Sequence, residues 1–183
     1  MRAALLMMDY QVGIVARNGA EAAVAAAAEA TGRARAAGLP VYWVQVGFRP
    51  GYPEVSRRNR MFSALAEAGQ LVLGDPTTAL HPALKSEPDE VVVTKKRVSA
   101  FAGSDLDVIL RAAQIDTLVL GGVATSGVVL STVRQAADLD YGLVVLADVC
   151  ADADAEVHRV LLEKVFPRQA EVTTVANWAA ALS

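Results

Sequence analysis

The sequence predicts an α/β protein: a three-layer, doubly wound and mostly parallel sheet of about six strands. Apolar runs of strand length recur along the chain and alternate with segments of helical character. Most of these runs are continuously apolar, which is typical of strands that are covered on both faces. The length of 183 residues and the hydrophobic fraction of 54% suit one core, so we predict a single domain over residues 1–183.

The strands and helices are predicted from these runs and from the residues that interrupt them. Gly38 and Pro40 end the first long helix, and Gly142 introduces the fifth strand. The segment 48–88 holds five of the seven prolines and is expected to be a long, functional or interfacial loop. The predicted strands are 3–8, 41–46, 91–94, 117–120, 143–147 and 172–175, and the predicted helices are 20–37, 61–68, 105–113, 126–139 and 154–165.

Composition excludes several classes of protein. Twenty acidic against 17 basic side chains, a formal net charge of −3, give no electrostatic basis for binding nucleic acid. A single cysteine, Cys150, rules out an intrachain disulfide and favours a cytoplasmic protein, and with only His81 and His158 we expect no metal site. No run of about 18 uncharged apolar residues occurs, so no membrane association is expected. The high apolar fraction favours a homo-oligomer, a dimer or larger.

Chemistry is expected where the parallel strands end, because ligands bind outside the carboxyl ends of such strands. Asp9 follows the first strand and Lys95 ends the third, which would place a carboxylate and an ammonium at one opening and shift the titration of both. The alternatives are structural: Asp9 as a cap of a turn, and Lys95 as a solvated charge.

The glycine-rich segment 121–127 after the fourth strand does not match the common nucleotide-binding or hydrolase motifs. Val128 stands where a phosphate-binding loop needs lysine, the G-x-G-x-x-G pattern is absent, and Ser126 lacks the flanking glycines of a nucleophile elbow. We therefore expect no nucleotide cofactor, and indeed no cofactor. What is left is a loop whose amides open a helix and suit a carboxylate, a carbonyl oxygen or an oxyanion.

Taken together, these segments resemble the isochorismatase-like hydrolases, the superfamily that includes cysteine-dependent nicotinamidases and carbamoyl-amide hydrolases. Residues 5–11 look like that family's apolar strand ending in D-x-Q, residues 94–101 like its K-x-R-x-S-A-F segment, and residues 122–125 like its G-V-x-T turn. The resemblance extends over nearly the whole chain.

The resemblance implies an Asp–Lys–Cys triad that acts on a small molecule. Asp9 would be the acid/base and Lys95 its electrostatic partner, while a cis peptide bond would join Val123 and Ala124, which with Thr125 form the oxyanion turn. The implied nucleophile position is occupied by Val128, which has no nucleophilic atom. Some members of the superfamily also lack the cysteine, and isochorismatases are thought to protonate a vinyl ether from the aspartate.

Further expectations concern the pocket and the turn. Tyr10, Gln11, Phe48 and Arg97 are predicted to shape the substrate pocket, although the aromatic residues could be core and Arg97 could form a structural ion pair. Ser126 and Thr125 are expected to cap the following helix, since the sequence gives no histidine to activate a hydroxyl.

Three functions stay open at this point. The first is a hydrolase of a vinyl ether or amide-type bond that uses Asp9, Lys95 and water without a thiol. The second is a non-catalytic small-molecule-binding or assembly protein of the same fold. The third is a cysteine hydrolase with a displaced nucleophile at Cys150, which is more simply explained as a buried thiol. The two influences on the pKa of Asp9, burial and the nearby ammonium, oppose each other, and the sequence does not determine which is larger.

Overall fold

The computed structural model describes residues 2–182 and contains a six-stranded sheet whose neighbouring strands are all parallel. The sheet confirms the predicted doubly wound α/β fold. Met1 and Ser183, the ends of the predicted domain, lie outside the described residues. The strands are β1 (Ala3–Met8), β2 (Val41–Val46), β3 (Val91–Lys95), β4 (Thr117–Gly122), β5 (Gly142–Leu146) and β6 (Glu171–Thr173).

The strand order is β3-β2-β1-β4-β5-β6, so the chain winds outward from β1 in one direction and then returns to wind outward in the other. Strands β1 and β4 are neighbours in register, with Met8 beside Gly122. The crevice beyond their carboxyl ends is the point where strand order reverses, and such a crevice is where ligands bind in open parallel sheets.

Helices cover both faces of the sheet because successive strand residues point to opposite sides. Leu5 and Met7 belong to one hydrophobic cluster, whereas Leu6 and Met8 belong to the other. The helices are α1 (Val12–Asn18), α2 (Glu21–Ala36), α3 (Arg60–Glu67), α4 (Leu106–Ala112), α5 (Leu130–Asp138), α6 (Ala155–Val160) and α7 (Val175–Ala180). Residues of α1, α2, α3 and α7 join the first cluster, and residues of α4 and α5 join the second.

The structure differs from the predicted elements in the segment after β1 and at the end of the sixth strand. Helix α1 follows β1 after only three residues and was not predicted. At the other end, the predicted strand 172–175 is wrong in its last two residues: Thr174 lies outside β6 and Val175 begins α7, because the Thr174 side chain accepts a hydrogen bond from Asn177 N and caps that helix. The helix predicted at 61–68 is confirmed as α3, and the segment 48–88 that contains it is anchored by bridges between Phe48 and Val72 and between Gln11 and Leu80.

Candidate active site

A buried ion pair lies at the carboxyl ends of β1 and β3. Lys95 Nζ is 2.9 Å from Asp9 Oδ2, and the two side chains are only 2% and 7% exposed. Lys95 ends β3, at the edge of the sheet, and its side chain reaches past the end of β2 to Asp9. The predicted convergence of these two groups is therefore present in the structure.

The second oxygen of the Asp9 carboxyl group, Oδ1, is buried and has no hydrogen-bond partner among the described residues. A buried polar atom without a partner is costly and needs a physical explanation; of the three such side-chain atoms in the described residues, only Asp9 Oδ1 belongs to a residue that lines the cavity described below, the others being Glu54 Oε2 and Thr78 Oγ1. Asp9 has a positive φ of 61°, and its backbone N–H donates to Val44 O. This left-handed conformation is uncommon for a residue other than glycine and is often found at functional positions.

Burial raises the pKa of Asp9 above its ordinary value, and the attraction of the Lys95 ammonium only partly offsets that rise. Removing a carboxylate from water penalises its charged form, and here this effect exceeds the opposing charge and hydrogen bond. The competition that the sequence left open is thus decided in favour of burial. A carboxyl group with a raised pKa is suited to donate a proton near neutral pH.

The turn after β4 faces the same crevice. The peptide bond between Val123 and Ala124 is cis, as the resemblance implied. The N–H groups of Val123 and Thr125 are already occupied, by Met8 O at 3.1 Å and by Ala151 O at 2.8 Å. Neither of them is free to donate to a substrate, so the predicted oxyanion role of these two residues is not supported by their hydrogen bonding. The N–H of Ala124 has no partner among residues 2–182.

An inner cavity of about 210 Å³ joins the ion pair to this turn. Asp9 and Lys95 line it together with Ala124, Ser126 and Val128. The remaining wall is mostly apolar and comes from α1, β2 and the loop 48–88. Among these apolar residues are Ile14, Val46, Met61, Phe62, Leu65 and Leu71.

Tyr10 and Gln11 follow Asp9 directly, yet neither lines the inner cavity. The Tyr10 hydroxyl donates to Val149 O. The Gln11 side-chain amide donates to Val46 O at 2.9 Å and Thr78 O at 2.7 Å, and its oxygen accepts from Val46 N. These hydrogen bonds tie α1 and the long loop to the sheet, so both side chains support the site from outside its wall.

Phe48 and Arg97 also lie outside the cavity wall. Phe48 is fully buried, with its ring 5.4 Å from that of Phe62 and 5.9 Å from that of Tyr52. The Arg97 guanidinium donates to Glu54 O at 3.0 Å and stacks 5.7 Å from the Phe62 ring. Both residues hold the Phe62 ring, which itself lines the cavity.

The Thr125 hydroxyl corrects the expectation that no histidine is available to it. Thr125 Oγ1 lies 2.8 Å from His158 Nδ1, and no side-chain hydrogen bond caps the turn of helix that Thr125 begins. The Ser126 N–H is held instead by the Asp152 carboxylate at 2.7 Å. In the sequence, this contact was indicated only by position: Thr125 follows β4, His158 follows β5, and the carboxyl ends of these two strands are adjacent.

Cys150 is separate from the inner cavity. It is buried, and burial raises the pKa of its thiol to about 12. A thiol of this kind is protonated at neutral pH and is a poor nucleophile. The geometry thus disfavours Cys150 as a displaced nucleophile.

Residues 2–182 contain neither a metal-binding cluster nor a membrane-spanning helix. No three His, Cys, Asp or Glu side chains are grouped so that they could hold a metal ion. None of the helices in that part of the chain combines the length and the apolar character that crossing a lipid bilayer requires.

Comparison with known proteins assigns the chain to a family. Residues 3–177 match the model of the isochorismatase domain. The chain is 34% identical over 176 residues to the uncharacterized isochorismatase family protein YecD of Escherichia coli O157:H7, covering 94% of this chain and 92% of that one. It is 35% identical over 178 residues to the ureidoacrylate amidohydrolase RutB of Methylobacterium radiotolerans, covering 90% and 69%.

A solved structure of a known amidase has a similar fold. The N-carbamoylsarcosine amidase of Thermoplasma acidophilum superposes with a TM-score of 0.80 at 26% identity, covering 96% of this chain and 97% of that one. The matched domain, the relatives and the fold agree with the resemblance noted from the motifs. The chain belongs to the isochorismatase family of hydrolases.

Proposed function

We propose that this protein hydrolyses an amide-type or vinyl ether bond of a small molecule, with Asp9 as general acid/base, Lys95 as its electrostatic partner and water as the attacking group. The observation that carries this proposal is the unpartnered Asp9 Oδ1, which belongs to a carboxyl group that lines a mostly apolar cavity. The raised pKa of Asp9 supports the role, because it favours the protonated form from which a proton can be given.

The proposed roles follow from the side chains that line the cavity. For an amide, the water oxygen bonds to the carbonyl carbon and the C–N bond breaks. Asp9 gives its proton to the departing nitrogen and regains one from the attacking water. For a vinyl ether, Asp9 gives its proton to the terminal alkene carbon, and water adds to the oxocarbenium carbon and returns a proton to Asp9. The resulting hemiketal then collapses: its C–O bond to the departing oxygen breaks, a carbonyl group forms, and the hemiketal hydroxyl proton goes to the departing alcohol. In the amide reaction, we assign the N–H groups of Ala124 and Val128 as donors to the negative charge that develops on the carbonyl oxygen.

Val128 is the reason to propose water rather than a covalent intermediate. Its side chain presents only hydrocarbon to the cavity, at the position where the resemblance implies a thiol. Ser126 also lines the cavity, but its hydroxyl is bonded to no histidine among the described residues: His158 is bonded to Thr125, and the Asp152 carboxylate accepts from the Ser126 N–H. Activation of a hydroxyl needs such a base within hydrogen-bond reach.

The test is a hydrolysis assay over a panel that includes ureidoacrylate, N-carbamoylsarcosine, simple amides and isochorismate. We expect Asp9→Asn to lower the turnover of an accepted substrate by about 10²- to 10⁴-fold, the range typical of general acid–base catalysis. The matched control is Cys150→Ala, which we expect to keep wild-type turnover. An inactive Cys150→Ala and an active Asp9→Asn would overturn the assignment.

The second candidate is a non-catalytic small-molecule-binding or assembly protein, and Val128 is again the observation that favours it. Thermal stabilisation of the wild type by acids or amides without turnover of any of them would support this alternative. Val128→Cys then becomes informative, because a gain of amide hydrolysis would indicate a pocket that has kept its shape and lost its chemistry.

A further inference from the structure

Arg17 of α1 lies where two adjoining spaces meet. The inner cavity that contains Asp9 is about 210 Å³, and an outer groove of about 670 Å³ lies beside it. Arg17, Met61 and Leu65 line both of them, whereas Arg60 lines the outer groove alone. A ligand that enters the inner cavity from the groove therefore passes Arg17.

The Arg17 guanidinium has no ion-pair or hydrogen-bond partner within the described part of the chain. This separates it from Lys95, whose charge is matched by Asp9 at 2.9 Å. When Asp9 is ionised that pair is neutral as a whole, and the unpaired charge on the wall is that of Arg17, whose side chain is exposed where the cavity adjoins the groove. Protonation of Asp9 would add to that positive charge and not reduce it.

The rest of the wall defines the other half of a matching ligand. Ile14, Phe62 and Leu71 line the cavity with hydrocarbon, and its volume is below the roughly 300–1,000 Å³ that is common for drug-sized ligands. A complementary molecule has a small apolar body and one negative group. The Arg17 guanidinium matches a carboxylate in charge and in its two-pronged geometry.

We propose that Arg17 selects small carboxylic acids: it binds the carboxylate at the entrance and so directs the bond to be cut toward Asp9. This inference rests on the proposed function for the bond that is cut, but the preference for an acid is a property of binding and can be measured without turnover.

The experiment is calorimetric titration of the purified protein with two molecules of the same shape, benzoate and benzamide. We expect the wild type to bind benzoate at least about tenfold more tightly than benzamide. Arg17→Gln should lose that preference by weakening benzoate alone, and Arg17→Lys should keep part of it. Arg168→Gln, which removes the same charge from an exposed arginine before β6, is the matched control and should bind as the wild type does.

Two further ligands complete the test of the wild type and Arg17→Gln. Benzenesulfonate and phenylphosphonate carry other anions on the same ring, and equal or tighter binding of either would overturn the preference for a carboxylate. Equal binding of benzamide and benzoate, or unchanged benzoate binding in Arg17→Gln, would overturn the role of Arg17. If benzoate binds through Arg17 but no substrate is hydrolysed, the proposed function fails while this inference stands. If substrates are hydrolysed but benzoate binds Arg17→Gln as tightly as it binds the wild type, this inference fails while the proposed function stands.

Discussion

Replacing Lys95 by methionine tests the buried ion pair most directly. Methionine keeps most of the volume of the lysine stem and removes only the ammonium group. That group bonds to Asp9 Oδ2 at 2.9 Å and to Arg97 O at 3.0 Å. Because Asp9 Oδ1 already has no partner, the substitution leaves both oxygens of a buried carboxyl group without a hydrogen bond.

The expected loss of stability is a large fraction of the stability of a typical domain. Removing one partner of a buried ion pair lowers the free energy of unfolding by about 3–5 kcal/mol. Folded domains are stable by about 5–15 kcal/mol, so the Lys95→Met protein is expected to fold but to unfold at a lower denaturant concentration.

The loss should also depend on pH, with a sign that the structure fixes. Burial raises the pKa of Asp9 and the Lys95 charge opposes this, so the variant has a higher Asp9 pKa than the wild type. A carboxyl group whose pKa is raised on folding contributes most below its unfolded pKa of about 3.9, and that contribution is lost as pH rises through its folded value. At pH values between the Asp9 pKa of the folded wild type and that of the folded variant, the variant's deficit in the free energy of unfolding grows by up to about 1.4 kcal/mol per pH unit.

The assay is urea denaturation of both proteins at pH 5 and pH 8. Lys164→Met, the same substitution at an exposed lysine, serves as the control and should change stability by no more than about 0.5 kcal/mol. A deficit below about 1 kcal/mol for Lys95→Met, or a deficit that shrinks from pH 5 to pH 8, would refute the coupling of these two groups.

Two other predictions concern residues outside the cavity. Gln11→Leu removes the hydrogen bonds that the side chain makes with Val46 N, Val46 O and Thr78 O. Because each buried polar group left without a partner costs about 1–3 kcal/mol, thermal unfolding should show a clearly lower Tm. An unchanged Tm would contradict the supporting role of this side chain. Burial raises the pKa of Cys150 to about 12, so iodoacetamide at pH 7.5 should leave it unmodified in the native protein and label it in urea, as mass spectrometry can show; rapid native labelling would contradict this.

The parts of the site that could be predicted are those that depend on local pattern alone. In a parallel sheet all the carboxyl ends lie at one edge, so Asp9 and Lys95 had to emerge on the same side whatever the strand order. The sequence could not give their 2.9 Å separation, because it depends on β2 lying between β1 and β3.

The parts that were missed depend on short elements and on the direction of single side chains. Helix α1 has seven residues, no acidic residue in its first turn and no side-chain cap, so Arg17 carried no helical signal. Gln11 and Arg97 are close in sequence to Asp9 and Lys95, but their side chains satisfy buried carbonyl groups instead of facing the cavity. The contact between Thr125 and His158 joins residues 33 positions apart and depends on where α6 begins.

Val128 and the pKa of Asp9 are connected through the same cavity. An aspartate that generates a thiolate must take up a proton, whereas one that protonates a leaving group must hold a proton at the start. Apolar surface in the wall of the cavity penalises the charged carboxylate and so favours the protonated form. Valine at position 128 therefore has two consequences in one place: it provides no thiol to be deprotonated, and it adds hydrocarbon to the wall of the cavity that holds Asp9. Both consequences favour acid catalysis with water over covalent catalysis.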